Sequence, residues 1–132
     1  MIMSLKTATP TTELQLMQPD GTVLLEDVWE SDRLLSSQLL EHLSGLLGRQ
    51  RLTWDALSGL VVFRGPGSFT GLRIGVTVAN AIAYAQGIPI VGAIGDDWVT
   101  AGLQRLAAGQ TDVQVVPHYG APPNITKPKS SA

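Results

Sequence analysis

Residues 60 to 87 constrain the fold more than any other part of the chain. Leu60-Val61-Val62-Phe63 is a short unbroken apolar run, the pattern of a strand buried on both faces. It ends in Gly65-Pro66-Gly67-Ser68, which punctuates the chain, and passes at once into a helix from about Gly71 to Gln86 that Gly87 closes. A strand that turns directly into a helix returns to its sheet by a crossover, and crossovers join parallel strands. Ile88 to Val91 supplies the returning strand.

The residues before this segment read differently. Positions 11 to 18 alternate, with Leu14 and Leu16 against Glu13 and Gln15, and Pro19-Asp20-Gly21 makes the turn into a second strand, Thr22 to Val28. Ile2 to Thr7 completes a three-stranded antiparallel meander. Ser31 and Asp32 are placed to cap a helix whose Leu35, Leu39, Leu43 and Leu46 recur at helical spacing, widened by Leu40 and Leu47, until Gly48 stops it. Thr53 caps a short turn through Trp54 and Leu57. Asp96 or Asp97 opens a third helix through Val99, Leu103 and Leu106, with Gly109 as its cap.

The order is βββαβαβα. An antiparallel meander feeding two right-handed crossovers gives an α/β fold, a mixed sheet with helices packed on it, as in ribonuclease H-like and actin-like proteins. Residues 1–110 form one lobe on this reading. Val113-Gln114-Val115-Val116, within 111–120, is a candidate edge strand, and 121–132, rich in Pro, Lys and Ser, reads as a flexible tail.

Composition narrows the function. A chain of 132 residues buries roughly two-thirds of its unfolded surface, so it needs no disulfides, and with no cysteine it has no thiolate metal site. A net charge of −2 gives no general basic field for nucleic acid. Nothing approaches the ~20 apolar residues of a membrane span, and the expected setting is the cytoplasm.

The densest stretch, Gly65-Pro66-Gly67-Ser68-Phe69-Thr70-Gly71-Leu72-Arg73-Ile74-Gly75, sits where backbone N–H groups at a helix start favour anions. Its glycines, however, spell G-x-G-x-x-x-G, one residue off the dinucleotide pattern, and no Lys-Ser/Thr pair follows at phosphate-loop spacing. Ser68 and Thr70 read as helix caps. Gly71, Gly75, Ala79 and Ala83 recur every four residues as a seam without bulk, and Arg73, Thr77, Asn80 and Tyr84 form a polar stripe beside it. Internal packing and a partner interface both need such small residues.

The whole stretch GPGSFTGLRIGVTVANAIAYAQGIPIVG, from Gly65 to Gly92, resembles the TsaB (YeaZ) family, non-catalytic relatives of the TsaD (Gcp-type) proteins in the actin-like ATPase superfamily. SLKTATPTTELQL is similar to that family's opening strand and hairpin, LLSSQLLEHLSGLL to its first helix, and PHYGAPPNITKPK to its C-terminal ending. The resemblance covers residues 2 to 95 well and the last fifteen or so loosely. The second lobe that the family carries between them is largely absent.

That resemblance implies a scaffold subunit for making threonylcarbamoyladenosine beside the tRNA anticodon, touching tRNA only indirectly. The implied partners are a catalytic TsaD-like subunit, in a heterodimer or replaced by a second copy in a homodimer, and a TsaE-like ATPase. It implies an interface on the first-lobe helices, here Leu35, Leu39, Leu43, Gly71, Arg73, Gly75 and Ala79, so that Gly75→Leu should abolish dimerisation without unfolding. No cofactor, metal or catalytic residue is expected. Where the family opens with Asp before the residue matching Thr7, this chain has Lys6, a cation that repels a divalent ion. His42 and His118 are far apart and lack the paired-histidine spacing of the Gcp-type relatives, and Ser68 has no nearby His to act as a base. The competing readings are a small metal- or nucleotide-dependent enzyme of the same superfold, and a self-associating relative outside the tRNA pathway.

Overall fold

The computed structural model describes residues 1–119. The expected flexible tail, 121–132, lies outside the described residues. Five strands, β1 (Ile2–Lys6), β2 (Thr11–Met17), β3 (Val23–Glu30), β4 (Gly59–Phe63) and β5 (Ile90–Ala93), form one sheet in the order β3-β2-β1-β4-β5. The β1–β2 and β2–β3 pairs are antiparallel and the β1–β4 and β4–β5 pairs parallel, as a meander followed by crossovers requires.

The period-two alternation of side chains splits the strands between two cores. Met3, Leu5, Leu14, Leu16, Leu60, Val62 and Ile90 face helices α1 (Leu35–Arg49) and α2 (Phe69–Gln86). Ile2, Met17, Val61, Phe63, Val91 and Ala93 face α3 (Trp98–Ala107) on the other side. There a Cβ on Gly102 would stand 2.3 Å from Val61 Cγ1, so α3 rests on the sheet by its backbone. Trp98 closes the same core edge-on to Phe63, with ring centroids 5.7 Å apart.

Several boundaries differ from the sequence reading for physical reasons. Ser31 does not cap α1: its buried hydroxyl is paired with Thr12 Oγ1 at 2.6 Å and donates to the Pro10 carbonyl at 3.2 Å, and a single 3-10 turn, Asp32–Leu34, leads into the helix. Gly48 does not stop α1, which runs to Arg49 and is left through Arg51 at φ +57°. The Thr53 hydroxyl donates to the Asp55 carboxylate rather than capping the short turn at Trp54–Ala56. Ser68 does cap α2, accepting from Gly71 N, whereas Thr70 lies within the first turn. Gly87, at φ +65°, ends α2, and the Ile88 N–H is spent on Ala83 O, so β5 begins at Ile90.

Val113–Val116 is not an edge strand. The Asp112 N–H donates to Ile90 O, but the Asp112 carboxylate then takes the Gly92 N–H, and Val113 turns the chain away at φ +64°. A side chain has replaced the main-chain partner that a ladder needs.

Candidate functional site

The glycine-rich segment after β4 is moulded onto the end of β1. Ser68 N donates to Ala8 O at 2.7 Å, and the Thr7 hydroxyl donates to Gly71 O at 2.7 Å. A Cβ on Gly67 would meet Ala8 Cβ at 2.5 Å, one on Gly71 would meet Thr7 O at 2.3 Å, and one on Gly75 would meet Thr7 Oγ1 at 2.1 Å. The glycines therefore bring the first two turns of α2 against the Thr7–Ala8 backbone. The Ser68 and Gly71 N–H groups that could have cradled an anion are bonded within the chain. Phe69 is half exposed between Tyr119, stacked at 4.6 Å, and the Arg73 guanidinium, 5.4 Å above its ring.

This geometry corrects the predicted interface. Leu35, Leu39, Leu43 and Ala79 are core residues, Gly75 is buried against Thr7, and Gly71 packs on the Thr7 carbonyl. Of that set only Arg73 is exposed. The helical spacing was right, but the apolar stripe of each helix is consumed by the sheet. Asn80 also leaves the polar stripe, since its amide is bonded to the Val115 backbone.

The free surface of the two helices lies on their opposite sides. Ser36, Leu40, Ser44, Gly45 and Gly48 are exposed on α1, and Arg73, Thr77, Ala81, Tyr84 and Ala85 on α2. Between the helices run two hollows of about 430 and 420 Å³ that share Ser36 and Val78, the first reaching Thr70 and Arg73 and the second Leu40, Ala81 and Ala85. Leu40 is 55% exposed and Tyr84 92%. The cleft is walled by the small Ser36, Val78, Ala81 and Ala85 and the larger Leu40, Trp54, Ile74 and Ile82, with the Arg73 guanidinium at one end, an apolar surface of the kind another helix packs on.

Two ionisable residues that the sequence singles out are tied locally. Lys6 holds its ammonium 4.7 Å above the Phe63 ring. His42 Nδ1 lies 2.8 Å from Asp27 Oδ2 and its ring stacks on Trp29 at 3.6 Å, joining α1 to β3. The fifteen residues that separate Asp27 from His42 hide this pair from any reading of spacing. Among the described residues no three His, Asp or Glu side chains are grouped to hold a metal ion, and no helix is long and apolar enough to cross a membrane.

Comparison with known proteins places the lobe. The family model for TsaD, tRNA N6-adenosine threonylcarbamoyltransferase, matches residues 29–93. The TsaB protein of Bacillus subtilis is 35% identical over 89 residues, which is 67% of this chain and 38% of that protein. The structure of YeaZ from Pseudomonas aeruginosa superposes with a TM-score of 0.65 at 28% identity, over 70% of this chain and 43% of that one. The chain belongs to the TsaB/YeaZ family. Thermus thermophilus RuvC, at 11% identity, covers 89% of the chain with a TM-score of 0.51 and shares the ribonuclease H-like fold alone. The chain spans about two fifths of the length of its TsaB and YeaZ relatives, and the residues matched by the TsaD family model, 29–93, include the signature segment and both helices of the cleft.

Proposed function

We propose that this chain is a non-catalytic scaffold subunit that docks the outer α1/α2 face onto a TsaD-like catalytic subunit, supporting threonylcarbamoyl transfer to the anticodon-adjacent adenosine of tRNA. A TsaE-like ATPase joins the same assembly, and tRNA is contacted through the partner. The observation that carries this reading is the exposed cleft of small and apolar residues between α1 and α2, in a lobe 35% identical to a protein named for threonylcarbamoyladenosine biosynthesis. The interface residues are Ser36, Leu40, Arg73, Thr77, Ala81 and Ala85, in place of the buried leucines and glycines of the same helices.

A second copy of the chain is the other occupant, since a two-fold axis would set this exposed apolar face, with Leu40 at its centre, against its own copy. A homodimer is on this reading the resting state that the catalytic subunit displaces. A metal- or nucleotide-dependent enzyme fits less well, since it would need an anion where Lys6 packs on Phe63.

The test is a reconstituted modification reaction containing the TsaD-like and TsaE-like proteins of the same organism, tRNA, ATP and a threonylcarbamoyl donor. Threonylcarbamoyladenosine should form only when this chain is added, and Leu40→Glu should reduce it at least tenfold. Equal product with and without the chain would refute the scaffold role.

A further inference from the structure

Residues 111–119 leave α3 and cross the lobe as a strap that no strand pairing holds, yet hydrogen bonds and one buried side chain fix it at several points. Asp112 is gripped first: its carboxylate accepts from Gly92 N at 2.7 Å and from both terminal nitrogens of Arg105, at 2.5 and 3.0 Å. Val115 comes next, and only 3% of its surface is exposed because it completes the core beneath α2. The Asn80 side chain clamps the Val115 backbone from both sides, with Nδ2 donating to its carbonyl at 2.9 Å and Oδ1 accepting from its N–H at 2.8 Å. Arg64 then holds two points: Nε donates to Val116 O at 2.9 Å, and its carbonyl accepts from His118 N at 2.6 Å. Tyr119 ends the run on the ring of Phe69.

The lobe is shaped to receive this strap. A Cβ at Gly65, in the signature segment, would stand 1.7 Å from His118 O, and one at Gly92, in β5, would stand 2.8 Å from Val115 Cγ1. Two glycines on separate elements thus leave the space that the strap fills. A segment recognised by its backbone, one branched aliphatic side chain and one carboxylate is bound as an extended peptide is bound in a groove. Two of its anchors fall on one helix, Asn80 in the second half of α2 and Phe69 at its first residue.

We propose that the strap is a conformational latch: when residues 112–118 are docked, they hold the signature segment 65–72 against β1 and set Phe69 and Arg73 at the mouth of the α1/α2 cleft. When the strap lifts, the Gly65–Thr70 turn loses its outer wall, and the first turn of α2 keeps its bonds to Thr7 and Ala8 and the buried Leu72 but loses the contact on Phe69. The latch is independent of which partner uses the cleft. Local opening of this kind is low in free energy compared with global unfolding, because it exposes one buried valine and leaves the sheet intact.

Hydrogen exchange read by amide on the full chain tests it with two variants. Asn80→Ala removes the clamp, and exchange should accelerate at least tenfold at Val115 and His118 and also at Ser68, while the β1 and β4 amides keep their protection. Tyr119→Ala removes only the terminal contact, so Ser68 should accelerate while Val115 stays protected. Fast exchange along the strap with Ser68 unchanged would overturn the latch and leave the strap a passive cover. Unchanged exchange at Val115 in Asn80→Ala would overturn the clamp. Should Asn80→Ala lose protection in β1 and β4 as well, Tyr119→Ala decides by itself, and an unaltered Ser68 amide refutes the coupling.

Discussion

Thr7 shows how single residues divide structure from interaction in this lobe. Its hydroxyl reaches Gly71 O and its side chain fills the place of a Gly75 Cβ, so Gly75→Leu should destabilise the fold, by roughly 3 kcal/mol or more from overpacking alone. The sequence reading expected that substitution to spare the fold, because spacing identifies a seam without telling which neighbour lies in it. Leu40→Glu, on the exposed side of α1, should stay within about 0.5 kcal/mol of the parent. Urea denaturation of both variants separates the two sides of the helices. A second residue-scale effect concerns pH. The Arg105 guanidinium holds the Asp112 carboxyl below the usual range, aided by Gly92 N–H and opposed by partial burial. With the folded value depressed, the stabilisation is present above about pH 4, the unfolded value, and is lost as pH falls through the folded one. The pair is about one-third exposed, so its worth is at most about 1 kcal/mol. Asp112→Asn should flatten the fall in urea midpoint between pH 5 and pH 3.

At the scale of elements, the order of strands and helices was legible wherever apolar periodicity met a turn signal. Leu14 and Leu16 marked β2, the Leu35–Leu47 stripe marked α1, and Leu60–Phe63 with Gly65 marked the first crossover. What the sequence hid were partnerships across elements. Ser31 looked like a cap but serves Thr12, and Asn80 looked like surface but holds Val115. Val113 and Val115 alternate like a strand, yet no backbone pattern reveals that Asp112 will occupy the Gly92 N–H with its side chain. An amide side chain in mid-helix beside a row of small residues is the one signal that pointed toward a bound backbone segment. Val113 itself is 78% exposed at φ +64°, a conformation that costs a β-branched residue dearly. Val113→Gly should therefore stabilise the strap by roughly 1 kcal/mol, seen as a rise in thermal midpoint. An unchanged midpoint would mean that this turn is not strained.

At the scale of the molecule, the described residues form a ribonuclease H-like sheet with α1 and α2 on one face and α3 on the other. Its sheet faces are satisfied internally by α1, α2 and α3, and the strap covers the β5 side. The α1/α2 cleft is an exposed surface that these packings leave free, and the family match at residues 29–93 spans the same part of the chain. The central claim is that this cleft joins the lobe to a TsaD-like subunit. Size-exclusion chromatography with light scattering, on the chain alone and mixed with the TsaD-like protein of the same organism, tests it most directly. A one-to-one complex that displaces any homodimer, and that Leu40→Glu abolishes while Val28→Glu, at an exposed position of β3, leaves intact, is the expected result. Two separate peaks at every mixing ratio, or a complex indifferent to Leu40→Glu, would contradict it.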